Sequence, residues 1–387
     1  MSKKKVSSET PPSPIYIFRG HAEQINSLEF IENNRYLISG DAEGNIIIWD
    51  MISKRSKVQF KAHNDGILNV VKCKDKLISH GRDNTLHVWK FNQLSNIKDG
   101  GNKEESIKPE ISLTVNSINF CKFDFCYEES HIEISDKRDE LFIAVPSAED
   151  SSGIDIWDIT NQKLIVSSIG LDQNSKTGYC MGIKIFSNNT FQNLQSITKN
   201  YFILAAYESG SVILWSIIIN TNELMSKEKN NFAVEKLWDR KEHGESVLSI
   251  DLSSDKQFAI STSGDNKIVK YNFDEEFRKE PLIKSTTIKY AGIAEVKIRS
   301  DGKIFATAGW DTKIRIFSSK SMKPLAILSY HRESVYALAF SRIESMDEQD
   351  RDKSTEEGKD LGNEERTEKH YLVGGGKDQR ISLWEIY

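Results

Sequence analysis

Leu77–Lys90 reads LISHGRDNTLHVWK, and upstream of it Leu37–Asp50 reads LISGDAEGNIIIWD. Taken alone, the later stretch gathers His80, Arg82, Asp83 and His87 around Gly81. An imidazole, a guanidinium and a carboxylate so close together would suit a metal or an activated nucleophile. The twin argues against that reading. It keeps Leu-Ile-Ser, a turn of small and acidic residues, and an alternating run that closes on tryptophan, but it has no histidine. What recurs is a structural unit, and Trp49 and Trp89 mark its period of 40 residues.

Five weaker copies follow: IAVPSAEDSSGIDIWD (Ile143–Asp158), ILAAYESGSVILW (Ile203–Trp215), AISTSGDNKIVKY (Ala259–Tyr271), FATAGWDTKIRIF (Phe305–Phe317) and LVGGGKDQRISLW (Leu372–Trp384). Upstream of four copies stands a histidine, at His21, His63, His243 and His331. Each precedes an alternating apolar run such as INSLEF (Ile25–Phe30) or SVYALAF (Ser334–Phe340). Period-two alternation bounded by turn residues is the signature of strands. A repeat of about 40–45 residues holding four strands is the signature of a propeller blade.

The pattern resembles the WD40-repeat family from about Ile15 to Tyr387. The fold class this implies is an all-β, seven-bladed propeller, with residues 1–14 as a flexible tail and 15–387 as a single domain. In that family a histidine, a serine or threonine, a turn aspartate and a tryptophan hydrogen-bond within one blade. His63, Ser79, Asp83 and Trp89 match all four positions. His21, Ser39 and Trp49 match three, with Glu43 in the aspartate slot. His243, Ser261 and Asp265 match three, with Tyr271 replacing tryptophan. Thr307 and Asp311 match in the sixth repeat. A buried polar group without a partner costs about 1–3 kcal/mol. A shared network therefore gives these residues a structural role, and His63 and Asp83 are expected to stabilise rather than to catalyse.

Ile15–Phe18 is a strand with no repeat of its own, and the last repeat stops after its third strand. The spare strand is expected to complete the last blade and close the ring, which removes exposed sheet edges. Insertions absorb the remaining length. Segment 95–110 is expected to link blades two and three, and 170–178 and 187–200 to decorate blade four. Segment 342–370 divides the first and second strands of blade seven; it is highly charged and lacks aromatic residues, the composition of a disordered loop.

The chain of 387 residues is 38% hydrophobic and 28% charged, with a formal net charge of −5. That balance gives no global reason to bind nucleic acid or an anionic membrane. Cys73, Cys121, Cys126 and Cys180 are few and irregularly spaced, which suits buried thiols better than zinc ligands. No apolar run is long enough to span a bilayer as a helix, and the expected setting is soluble and reduced. No phosphate-binding glycine loop, serine-nucleophile elbow, HExxH or paired CxxC occurs. The expectation is a protein without catalytic activity, cofactor or metal.

A rigid ring with loops on two faces is mostly a binding device. In the WD40 family the residue before the turn aspartate projects onto the top face near the central channel. By that resemblance Arg82, Trp310 and Lys377 point outward, and His80 beside the same turn joins them as a candidate contact. Arg and Trp are enriched at interface hot spots.

PIYIFRGH (Pro14–His21), the two opening repeats and above all VNSINFCKFDF (Val115–Phe125) resemble the ASTRA-associated branch of WD-repeat proteins. That resemblance implies a nuclear, non-catalytic subunit of a chromatin-regulating assembly. The implied associates are a PIKK-family protein, the Tel2–Tti1–Tti2 cochaperone and RuvB-like AAA+ ATPases, and the implied work includes PIKK-family kinase maturation. A generic WD40 peptide reader or adaptor is the alternative, though Trp310 alone makes a thin aromatic cage. A G-protein β-like subunit is disfavoured, because the few residues before the first strand include PPSP (Pro11–Pro14), which makes no heptads.

Overall fold

The computed structural model describes residues 12–92, 107–118, 120–128, 140–171, 176–187, 198–220, 232–343 and 369–386. They form seven four-stranded antiparallel sheets. Six are built from four consecutive strands, with the first lining a central channel and the fourth outermost. Blade one, for example, uses Ile25–Ile31, Tyr36–Asp41, Asn45–Asp50 and Arg55–Lys61. Isoleucines on alternate positions fill the gaps between neighbouring sheets. Ile38, Ile46 and Ile48 of blade one meet Ile67, Val70 and Leu77 of blade two in one buried cluster.

Blade seven is the exception. Its order places Tyr16–Arg19 against Arg380–Ile386, followed by His370–Gly376 and Val335–Phe340. The register runs from Tyr16 opposite Leu383 to Arg19 opposite Arg380. Ile15 adds one more bond, its amide donating to the Leu383 carbonyl at 2.8 Å. The expected closure by the N-terminal strand is thus present, with Phe18 buried against Trp49 and Leu383 to fix it.

One connection differs from expectation. Ile111–Thr114 pairs with Thr85–Lys90 as the fourth strand of blade two. Segment 95–110 therefore lies within blade two, between its third and fourth strands, and does not link blades two and three. The sequence disguised this strand because only four residues, ISLT, follow the long polar stretch. Segment 342–370 does divide the first and second strands of blade seven. Residues 344–368, and most of 95–110 and 187–200, lie outside the described residues, as do residues 1–11 of the tail.

Candidate interaction face

The four tetrad residues of blade two are assembled by the turn between its second and third strands. His63 Nδ1 lies 3.0 Å from Asp83 Oδ1, and its Nε2 lies 2.8 Å from Ser79 Oγ. Trp89 Nε1 donates to that same hydroxyl at 2.9 Å. The hydroxyl accepts from the indole and donates to Nε2, which leaves His63 neutral with its proton on Nδ1, facing Asp83. Burial lowers the His63 pKa against the opposing pull of Asp83. For Asp83, burial alone would raise the pKa. Hydrogen bonds from Thr85, Asn64 and His63 outweigh it and hold the carboxyl below its usual value.

Blade one repeats this geometry with a different carboxylate from the one expected. His21 Nδ1 meets Asp41 Oδ2 at 2.8 Å, and Ser39 Oγ bridges His21 Nε2 at 2.6 Å and Trp49 Nε1 at 2.8 Å. Glu43 is exposed, and only its backbone amide takes part, donating to Asp41 at 3.0 Å. The carboxylate belongs to Asp41, which the residue-for-residue alignment of the two turns had passed over. Its shorter side chain reaches the histidine from the end of the strand. In blade five, His243 meets Asp265 at 3.2 Å and Ser261 at 2.7 Å, and the Tyr271 hydroxyl lies 3.2 Å from Ser261.

Blade seven holds a fourth complete set that its sequence hid. His331 meets Asp378 at 2.9 Å and Ser382 at 2.8 Å, and Trp384 donates to Ser382 at 2.9 Å. The serine has moved across the strand pair. Gly374, opposite Ser382, occupies the place that Ser39 holds opposite Ile47. In blade six Arg315 takes over from the missing histidine, forking onto both oxygens of Asp311 at 3.0 and 2.5 Å.

A second set of polar residues, which the sequence reading missed, ties the first strands together around the channel. Glu29 accepts the Lys72 amide at 2.8 Å, Asp124 the Ile185 amide at 2.9 Å, Asp251 the Ile298 amide at 2.7 Å and Glu295 the Leu338 amide at 2.6 Å. Each carboxylate thus clips its blade to the next. Lys122 of blade three pairs with Glu295 of blade six at 2.5 Å, and Lys184 with Asp251 at 2.9 Å. The signal was a lone acid inside an otherwise apolar first strand, as in SLEF (Ser27–Phe30) and SIDL (Ser249–Leu252). Half-buried Glu29 has its pKa pushed up to about 7, chiefly by desolvation. Among the described residues no cluster of three His, Cys, Asp or Glu is placed to hold a metal ion.

The four candidate contacts separate. Arg82, Trp310 and Lys377 are exposed on the face that carries the tetrad turns. Arg82 and Trp310 also line the mouth of the channel, a cavity of about 880 Å³. His80 is not a surface contact: it is 0% exposed, with Nε2 2.7 Å from Ser117 Oγ. Strand alternation explains the difference, since Ser79 faces the tetrad of its own blade and His80 faces blade three. Its pKa falls to about 3, mainly through burial, so the ring is neutral. What His80 does is fasten the loop that enters blade three.

The model of the family described as ASTRA-associated protein 1 matches residues 14–380. The chain belongs to the ASTRA-associated protein 1 family. ASTRA-associated protein 1 of Penicillium rubens is 31% identical, with 100% of both chains covered. The protein of that name from Schizosaccharomyces pombe is 28% identical over 97% of this chain and 99% of its own. Mouse guanine nucleotide-binding protein subunit beta-like protein 1 is 28% identical over 97% of both chains. This is a family of WD-repeat propellers of scaffold type. Val115–Phe125, the stretch that first suggested the ASTRA-associated branch, includes the loop that His80 fastens.

Proposed function

We propose that this protein is a non-catalytic WD-repeat scaffold subunit of an ASTRA-type assembly in the nucleus. In this reading it serves chromatin regulation and PIKK-family kinase maturation by holding protein partners. The observation that carries the reading is the match to ASTRA-associated protein 1 across nearly the whole chain, with a name that itself denotes association with a complex. The face bearing Arg82, Trp310 and Lys377 is the proposed docking surface. Support for that choice comes from residue type, because aromatic and arginine side chains dominate the energetics of protein interfaces.

Affinity purification of the tagged protein from its own cells, read by mass spectrometry, tests the reading. Recovery of a PIKK-family protein, RuvB-like ATPases and Tti-type cochaperone subunits is expected. Their loss is expected when Arg82→Glu and Trp310→Ala are combined in a chain that still folds. Recovery of a small γ-like subunit alone would overturn the assignment. Unchanged recovery with the double variant would move the docking surface elsewhere.

A further inference from the structure

The channel mouth carries exposed apolar side chains and an arginine without a carboxylate partner. Ile118 is 69% exposed, Phe120 65% and Trp310 45%, although all three are large and hydrophobic. Phe120 and Trp310 line the cavity, and large apolar side chains left in water beside a concave site suit an interaction surface. The scaffold here is pinned. Asn116 Nδ2 donates to the Ser147 carbonyl at 2.6 Å and to Ser151 Oγ at 2.9 Å, and Ser117 is held by His80. Trp310 is fixed on the other side of the mouth. Its amide donates to the Gly292 carbonyl at 2.9 Å, and its carbonyl accepts from Ser334 Oγ at 3.1 Å. Its ring lies where a side chain on Gly292 would be: a Cβ there would sit 2.1 Å from the indole, and the φ of +87° favours glycine as well.

Charge supplies the second observation. Five cations line the cavity, and four have a carboxylate within 4 Å. Lys122 and Lys297 pair with Glu295, Lys184 with Asp251 and Arg342 with Glu29. Arg82 has no carboxylate partner among the described residues. Its guanidinium lies over the Phe120 ring, 4.8 Å from the centroid. Stacking on an aromatic face leaves the edge of the guanidinium, with its forked N–H donors, free for a carboxylate.

We propose that the channel mouth docks an extended segment of a partner protein that presents an aspartate or glutamate side chain to Arg82 and bulky apolar side chains to Phe120 on the same side and Trp310 across the mouth. The inference rests on the reading of this face as the docking surface and adds the chemistry of what it takes. At Arg82 itself a cationic side chain would be repelled, and a purely apolar one would leave its forked donors unused; Asp65, which lines the same cavity, also has no cation partner among the described residues.

The test is selection from a random dodecapeptide display library on the full chain, with counter-selection on a Phe120→Ser, Trp310→Ala variant. Circular dichroism and thermal melting first establish that the variants fold. The expected pool is enriched in an acidic residue beside Phe, Leu, Ile or Trp. Arg82→Gln is expected to weaken the selected peptides about tenfold. Arg82→Glu should restore binding to peptides whose acid has been replaced by lysine. Selected peptides that are basic, or that keep their affinity when the acid becomes its amide, overturn the acidic partner and leave the docking face standing. Binding that is equal on the counter-selection variant, or a pool no richer than background, overturns both.

Discussion

In blade two a line of hydrogen bonds runs from the Asp83 carboxylate through His63 and Ser79 to the indole of Trp89. Blade four, whose stretch of sequence contains no histidine, closes its sheet with apolar bulk instead. Its last three strands, Thr198–Tyr207, Ser211–Asn220 and Phe232–Lys241, are ten residues each, against six for Lys76–Gly81 and Thr85–Lys90. Ile203, Ala205, Ile213 and Ile217 fill the side toward blade three, and on the other Phe202 forms a three-ring cluster with Phe186 and Phe277. The same four-stranded unit is thus fixed in one case by direction and in the other by area. A hydrogen-bonded line specifies shape through four residues, while hydrophobic burial accumulates along longer strands.

The largest expected effect lies on the apolar side. Phe202→Ala should cost about 3–5 kcal/mol, the usual penalty for removing a buried aromatic ring and leaving a cavity. Urea unfolding of the full chain measures it. A loss no greater than that of an exposed substitution would mean that blade four is not held by packing. Breaking the polar line should cost less. Asp83→Ala leaves His63 Nδ1 only the Thr85 hydroxyl, 3.0 Å away, and removes the acceptor of the Thr85 and Asn64 donors, and should cost about 1–3 kcal/mol. Ser79→Ala should cost a similar amount, and the double variant less than the sum, because the two residues serve one network. Strict additivity would show that the line does not act as a unit.

The uneven distribution of histidine gives the contrast a pH signature. His80 and His87 of blade two have pKa values lowered to about 3 and about 4 from the usual 6.5, chiefly by burial, and His63 is lowered as well. His80 faces Ser117 and Phe123; besides burial, His63 disfavours its charged form and Asp83 favours it. Because the folded values lie below the unfolded ones, the unfolded chain binds protons first as the medium is acidified. The stabilisation is fully present above about pH 6.5 and is lost as pH falls towards 3. Protection factors in blade two, corrected for the intrinsic pH dependence of amide exchange, should therefore fall between pH 7 and pH 5 while those of blade four hold. His80→Gln should flatten that slope. Equal acid sensitivity in the two blades would remove the histidines as its cause.

The contrast also explains what could be read before the fold was known. Ring, blade count and closure were legible because strand alternation, the Leu-Ile-Ser start and the closing aromatic recur at nearly constant spacing. The blade-two network was legible because all four of its residues keep their usual slots. Blade seven hid an equal network by moving its serine to Ser382, across the strand pair from Gly374, which no reading along the chain can detect. His80 was misplaced for a related reason: proximity to a turn in sequence says nothing of which side of a strand a residue faces. Phe120 and Ile118 passed unnoticed because a short apolar run reads as core, and only the fold shows that they stand outside it.

The smallest expected effect separates two neighbouring acids in blade one. Glu43 occupies the turn position that the twin repeat gives to Asp83, yet the carboxylate beside His21 is that of Asp41, 1% exposed. Asp41→Asn replaces one acceptor oxygen with an amide that must face His21 Nδ1 or the Glu43 and Asn45 amides, so a donor meets a donor whichever way it turns. It should cost about 1–3 kcal/mol. Glu43→Gln changes only an exposed side chain whose backbone amide keeps its bond to Asp41, and should stay within about 0.5 kcal/mol. Urea midpoints of the two variants, measured side by side, decide which acid completes the network. A larger loss from Glu43→Gln than from Asp41→Asn would return the role to Glu43.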